Sequence, residues 1–232
     1  DRTLGDVYPR LTYNKLGAKQ GISSEDELRT ISKGGNFVLT SDIYLTSAWS
    51  PITNDFHGSI YSEERPASKQ NEIGPDGKPL GQYYKIFNLN INSKSYNNNG
   101  NIGLFATTTN GAYFKDITIV VGSRFDDPDK EVGEREYKTT VEEQQTGLNI
   151  INNNISKTNA NLGALSGYAK GTEFENVTVY YYPSNKNNSS IDDSNIISTN
   201  LTYVGGLIGR AESCNFNGVT IENIAITKQS ND

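Results

Sequence analysis

The sequence predicts an all-β fold, a right-handed parallel β-helix with a short N-terminal capping helix and inserted loops, and two observations carry that expectation. Three 21-residue segments resemble one another, and each ends in a short alternation of apolar and polar residues with the period of a strand. Composition agrees. Of the 232 residues only 34% are hydrophobic, while Asn, Gly, Ser, Thr and Tyr abound, which favours a thin, layered core over a bulky globular one.

The copies are residues 101–121 (NIGLFATTTNGAYFKDITIVV), 161–181 (NLGALSGYAKGTEFENVTVYY) and 203–223 (YVGGLIGRAESCNFNGVTIEN). Aligning Gly103, Gly163 and Gly205 places Phe114, Phe174 and Phe216 at one offset without gaps. After each Phe, the pairs Ile117/Ile119, Val177/Val179 and Val219/Ile221 flank Thr118, Thr178 and Thr220. Strand alternation turns the β-branched residues inward and the threonines outward. Asp116, Asn176 and Gly218 precede these strands, at a turn where short polar residues or glycine tolerate unusual backbone angles. Each copy is expected to hold two or three short strands. A unit of this size cannot bury its own apolar edge, so the copies must stack.

The spacers between copies, 122–160 and 182–202, resume strand-like patterning at Leu148, Ile150, Ile151 and Ile155, and again at Ile196, Ile197 and Leu201. Further coils with decorated loops are expected there. Upstream, Ser24 and Glu27 have the spacing of a capping box, and Leu28 and Ile31 supply a small apolar helix face behind which Trp49 and Phe56 would pack.

These repeats resemble the GLUG motif of bacterial surface proteins, most closely in GGLIG at 205–209, then GALSG at 163–167. GLFAT at 103–107 keeps the first glycine but has Thr107 in place of the last. The stretch from ISSEDELRTISKGG through FHGSI to YKIFNLNI is similar to the leader before such repeats in large adhesins and in N-terminal regions of immunoglobulin A1-type zinc metallopeptidases. The resemblance implies a β-helix whose end is covered by a short helix. It also divides the chain into residues 1–21, where YPRLTY looks like the close of a preceding unit or a linker, and a β-helix domain over 22–232. With no Met anywhere, the sequence reads as part of a longer chain with neighbouring domains.

Charge and motifs narrow the function. A net charge of −6 without a basic run argues against nucleic acid, and no apolar run is long enough for membrane insertion by this segment. Cys214 is the single cysteine, so no intrachain disulfide is expected, and it reads as a small half-buried core residue. His57 is the single histidine; beside a glycine turn it reads as solvent-facing rather than as a base, and HExxH is absent. The acidic residues do not recur at one coil position as a sugar-cleaving site would require, apart from the Asp116 turn, so no catalytic residue is expected. The threonine ladder raises ice binding, for which three unequally spaced rungs are a thin basis.

No cofactor is expected. Asp127, Asp129 and Glu131, at alternate positions in the acidic loop 123–145, are the one metal candidate, as hard oxygen ligands for calcium, although the loop lacks the EF-hand glycine and terminal glutamate. Recognition falls instead on tyrosine-bearing excursions, with Tyr61, Tyr83, Tyr96 and Tyr182 as ligand-binding candidates. The expected function is non-enzymatic: a segment of an extracellular or cell-surface bacterial adhesin that binds host protein or glycan, or acts as a stalk. The alternative is a noncatalytic, substrate-orienting N-terminal region of a secreted zinc metallopeptidase. The insert 61–82 is expected to be removable without loss of the fold.

Overall fold

The computed structural model describes residues 19–46, 49–74, 76–89, 91, 100–121, 150–152, 161–181, 196–198, 203–224 and 226–228. The chain is all-β with parallel sheets. It opens with β1 (Gln20–Ile22), a five-residue helix α1 (Glu25–Arg29), β2 (Asn36–Leu39), β3 (Ile43–Tyr44), β4 (Ser59–Ser62) and β5 (Lys85–Leu89). The first copy holds β6 (Asn101–Ile102), β7 (Phe105–Thr108), β8 (Tyr113–Lys115) and β9 (Thr118–Val121), followed by β10 (Ile150–Asn152). The second holds β11 (Asn161–Leu162), β12 (Ser166–Lys170), β13 (Glu173–Glu175) and β14 (Thr178–Tyr181), followed by β15 (Ile196–Ser198). The third holds β16 (Tyr203–Val204), β17 (Ile208–Glu212), β18 (Asn215–Asn217) and β19 (Thr220–Glu222), followed by β20 (Ile226–Lys228). Each copy therefore contributes four strands, more than the two or three expected, because the glycine-rich half also pairs.

Equivalent strands lie side by side. The sheet orders are β1-β2-β4-β8-β13-β18, β3-β5-β9-β14-β19, β6-β11-β16, β7-β12-β17 and β10-β15-β20. Phe114 pairs with Phe174 and Phe174 with Phe216. Thr118 pairs with Thr178 and Thr178 with Thr220. The spacer residues Ile150 and Ile196 pair with each other, as the strand-like patterning predicts. Leu148, Ile155 and Leu201 lie outside the described residues. Among the described residues paired structure starts at Gln20, inside the stretch assigned from sequence to a preceding unit.

The gapless alignment holds between the second and third copies but slips between the first and second. Asn161 pairs with Asn101 and Glu173 with Tyr113, whereas between them Ser166 pairs with Phe105, one residue out of step. The slip coincides with the glycine the first copy lacks. Cβ atoms placed on Gly167 and Gly209 would lie 2.3 Å from the Ile102 nitrogen and 2.4 Å from that of Leu162, so only glycine lets one copy's backbone approach the copy before it. Thr107 is half-buried where that approach is absent, and its hydroxyl accepts a hydrogen bond from Asn101 Nδ2 at 3.1 Å. On its other side β7 meets irregular chain through single bridges, Ile52 to Phe105 and Phe56 to Thr108.

The core is one ladder of large side chains. Phe56, Phe105, Phe114 and Phe174 are each at most 1% exposed, and the Phe114–Phe174–Phe216 rings stack at centroid distances of 5.5 and 5.2 Å. Each fully buried ring of this size contributes about 1.5–3 kcal/mol. Ile117, Ile119, Val177 and Val179 line the same core, with Thr118 and Thr178 half-buried on the opposite face, as alternation requires. At the N-terminal end Ser24 caps α1 by accepting from the Glu27 amide, while the Glu27 carboxylate accepts from the amide and hydroxyl of Ser23. Leu28, Ile31, Trp49 and Phe56 are buried in the core beside it, and the Arg29 guanidinium lies 4.3 Å from the Trp49 ring.

Candidate functional site

Alternation decides what the six-stranded sheet shows to solvent. Phe37, Ile60, Phe114 and Phe174 take the inner positions, so the residues on either side of each face outward. One outer row runs Tyr61–Lys115–Glu175–Asn217, and the next runs Ser59–Tyr113–Glu173–Asn215, of which Ser59 is buried and donates to Asn36 Oδ1. Glu175 ties the two rows together. Its carboxylate accepts from the Tyr113 hydroxyl and from Lys115 Nζ, both at 2.7 Å. Partial burial, then the bond to Glu175, pushes the Tyr113 phenol well above its ordinary range, while its own bond to Glu175 holds Lys115 above the usual lysine range.

Tyr61 belongs to β4 and not to a loop, which corrects its assignment to an excursion: the apolar–polar alternation of Ser59 to Ser62 continues the sheet through it. Its ring carries Lys19 Nζ at 5.0 Å, and its hydroxyl is buried with no hydrogen-bond partner among the described residues. Tyr83 is half-buried beyond the insert, bridged to Glu64, and its phenol is raised by desolvation and then by the nearby Asp116 and Glu64 carboxylates. Tyr61 and Tyr83 thus both flank Lys115. Tyr96, Tyr182 and the calcium candidates Asp127, Asp129 and Glu131 lie outside the described residues. Among the described residues no group of three or more His, Cys, Asp or Glu side chains is placed to hold a metal.

The insert is not a free excursion. Arg65, 5% exposed, makes two bonds to the Asp42 carboxylate at 2.8 and 2.7 Å and donates to the Gly81 and Tyr83 carbonyls. Asp76 is fully buried and accepts from the Tyr180 hydroxyl. Lys85 Nζ sits 4.0 Å from Asp76 and donates to the Pro79 carbonyl at 3.2 Å. Leu80 joins Phe87, Val120 and Tyr180 in a second apolar cluster on the outer face of the β5-β9-β14 sheet. Burial lowers Lys85 from the usual lysine range against the pull of Asp76 and Asp42, and it raises the Tyr180 phenol, as does the bond to Asp76. This charged cluster clamps the insert down, and each of its polar groups is paired within the clamp.

No family model, no curated protein and no solved structure matches the chain.

The remaining chemistry-bearing side chains behave structurally. Cys214 is half-buried against the core, with Sγ 3.5 Å from the Ala169 carbonyl. His57 is exposed and its Nδ1 lies 3.2 Å from the Asp55 carbonyl. Sequence reasoning missed Tyr113, Lys115 and Glu175 as a set, because pairing across 60 positions brings them together; the signal available was that they flank the aligned phenylalanines.

Proposed function

We propose that the chain is a right-handed parallel β-helical segment of a secreted or surface-anchored bacterial protein, resembling GLUG-repeat adhesins. It works as a non-enzymatic, rigid carrier of a recognition surface for host protein or glycan. The observation that carries this reading is the in-register pairing of equivalent residues from copy to copy, Phe114 with Phe174 with Phe216 and Thr118 with Thr178 with Thr220. A stack held that way presents a flat outer face.

That face is the recognition surface of this proposal. Tyr61, Tyr83 and Tyr113 offer half-buried aromatic area beside Lys115 and Glu175, and side chains already held in place lose little freedom on binding. Rings beside a carboxylate and an ammonium suit a sugar, whose apolar face stacks on aromatics while its hydroxyls find charged partners. The test is binding of the chain to an array of host glycans and extracellular proteins, compared with a Tyr61→Ala/Tyr83→Ala variant. A specific hit lost in the variant supports the reading; a hit unchanged by it moves recognition elsewhere on the chain, and a clean negative removes recognition from this segment.

A further inference from the structure

Lys85 of β5 and Asp76 of the insert face each other where water is excluded. Asp76 is fully buried and the Lys85 side chain is 10% exposed, with Nζ 4.0 Å from Asp76 Oδ2. Leu80, Phe87, Val120 and Tyr180 form the apolar cluster on this face of the sheet, and Nζ lies 5.9 Å from the centre of the Phe87 ring. The separation is at the outer limit of an ion pair. Two charges taken out of water with so little contact stabilise a fold poorly. Held side by side, an amine and a carboxyl group are instead placed to react.

Each polar atom around the pair has a part in such a reaction. Lys85 Nζ donates to the Pro79 carbonyl at 3.2 Å and to the Tyr180 hydroxyl at 3.4 Å, which aims the amine. The Tyr180 hydroxyl in turn donates to Asp76 Oδ2, so it stands between the group that must lose protons and the oxygen that must gain them. The other carboxylate oxygen, Oδ1, accepts from the Lys78 amide at 3.2 Å, a donor placed for the negative charge that gathers there when nitrogen adds to Cγ. Burial lowers Lys85 from the usual lysine range, which favours the neutral, nucleophilic amine. The Gly77 amide, the neighbouring nucleophile in an Asp-Gly pair, is engaged by its own bond to the Gly74 carbonyl at 2.9 Å.

We propose that Lys85 and Asp76 condense to an intramolecular isopeptide bond, a covalent clamp that ties the insert to β5. In this step Nζ bonds to Asp76 Cγ and the Cγ–Oδ2 bond breaks. Two protons leave the ammonium, pass to Oδ2 through the Tyr180 hydroxyl, and depart with that oxygen as water, so the step consumes no other reactant. The structure shows the pair before condensation. Cys214 is the single cysteine, so an intrachain disulfide cannot supply such a tie. The proposal concerns how the insert is anchored and stands apart from the recognition surface described above.

The test is the mass of the native chain, incubated folded until that mass is constant and then denatured, followed by tryptic mapping. The expected mass is that of the sequence less one water, and trypsin is expected to leave the chain uncut after Lys85, because that side chain has become an amide. Cyclisation of Asp76 onto the Gly77 amide also loses water but leaves Lys85 cleavable, so the mapping separates the two. Asp76→Asn is expected to reach the same final mass as the native chain by losing ammonia instead of water, whereas Asp76→Ala is expected to keep its full mass and to be cut after Lys85. A native chain of full mass, or one lacking a water yet cut after Lys85, overturns the proposal. So does an Asp76→Ala chain that still loses water and resists cleavage after Lys85, since another carboxyl group would then be the partner.

Discussion

Asn176 donates from Nδ2 to Asp116 Oδ1 at 2.7 Å across one rung, and both residues hold left-handed backbone, with φ of +51° and +55°. Gly218 continues the row at +67°. The side chain and the backbone of Asn176 thus contribute separately. Asn176→Ala is expected to cost about 2 kcal/mol, from a β-carbon forced into the left-handed region and a lost hydrogen bond. Asn176→Gly is expected to cost about 1 kcal/mol, since glycine restores the backbone but not the bond. Urea denaturation of both variants checks the order.

The phenylalanine stack gives a contrast within one residue type. Phe174→Ala opens a cavity between two copies and is expected to destabilise by about 3–5 kcal/mol. Phe216→Ala, at a ring 48% exposed, is expected to cost under half as much. Thermal melts of the two variants measure the difference; equal costs would mean that Phe216 is covered in solution.

The insert should resist removal. Asp42→Ala leaves the Arg65 guanidinium buried without its carboxylate, an expected loss of about 3–5 kcal/mol. Deleting residues 63–82 would remove Arg65, Asp76 and Leu80 together and bare Phe87, Val120 and Tyr180. The expected result is a chain with a lower melting temperature and stronger binding of a hydrophobic dye, which reverses the sequence-based expectation that the insert is dispensable.

Much of the architecture was legible in the sequence because its signals are local. The Thr flanked by β-branched residues announces a strand, and the Asp116, Asn176 and Gly218 series announces a left-handed turn. What escaped the sequence depends on long-range contacts. The one-residue slip at β7 shows only in its pairing with β12, and the bond between Lys115 and Glu175 spans 60 positions. The clamp on the insert escaped for the same reason: Arg65, Asp76 and Lys85 carry no local signal, and only the fold brings Asp42 and Tyr180 beside them. Tyr61 was misread because a strand with one tyrosine looks like the edge of a loop.

Two carboxylate-bound phenols set the alkaline limit. The Tyr180 and Tyr113 hydroxyls are held above the ordinary 10.0 by burial and by their carboxylate acceptors Asp76 and Glu175. In the unfolded chain these phenols ionise near pH 10, while in the folded chain they stay protonated, so the unfolded state binds fewer protons and stability falls as pH rises. Their contribution is complete below pH 10 and is lost progressively above it. Lys85, lowered by burial, acts in the opposite direction: its desolvation penalty is relieved as pH rises toward 10.5. Melting temperature is expected to decline above pH 10 in the native chain. Tyr180→Phe is expected to show a shallower decline, from a starting value about 1–3 kcal/mol less stable because buried Asp76 loses one of its donors.

The pairing of Thr178 with Thr220, 42 positions apart, is the relationship on which the stacked account depends. Paired residues on adjacent parallel strands sit about 4.8 Å apart, within reach of a disulfide, whereas residues two rungs apart do not. The deciding measurement is oxidative cross-linking of cysteine pairs in a Cys214→Ser background. The account predicts that Thr178→Cys/Thr220→Cys and Thr118→Cys/Thr178→Cys form disulfides readily under native conditions while Thr118→Cys/Thr220→Cys does not. Ready formation of the 118–220 bond, or failure of the 178–220 bond in a folded chain, would contradict it.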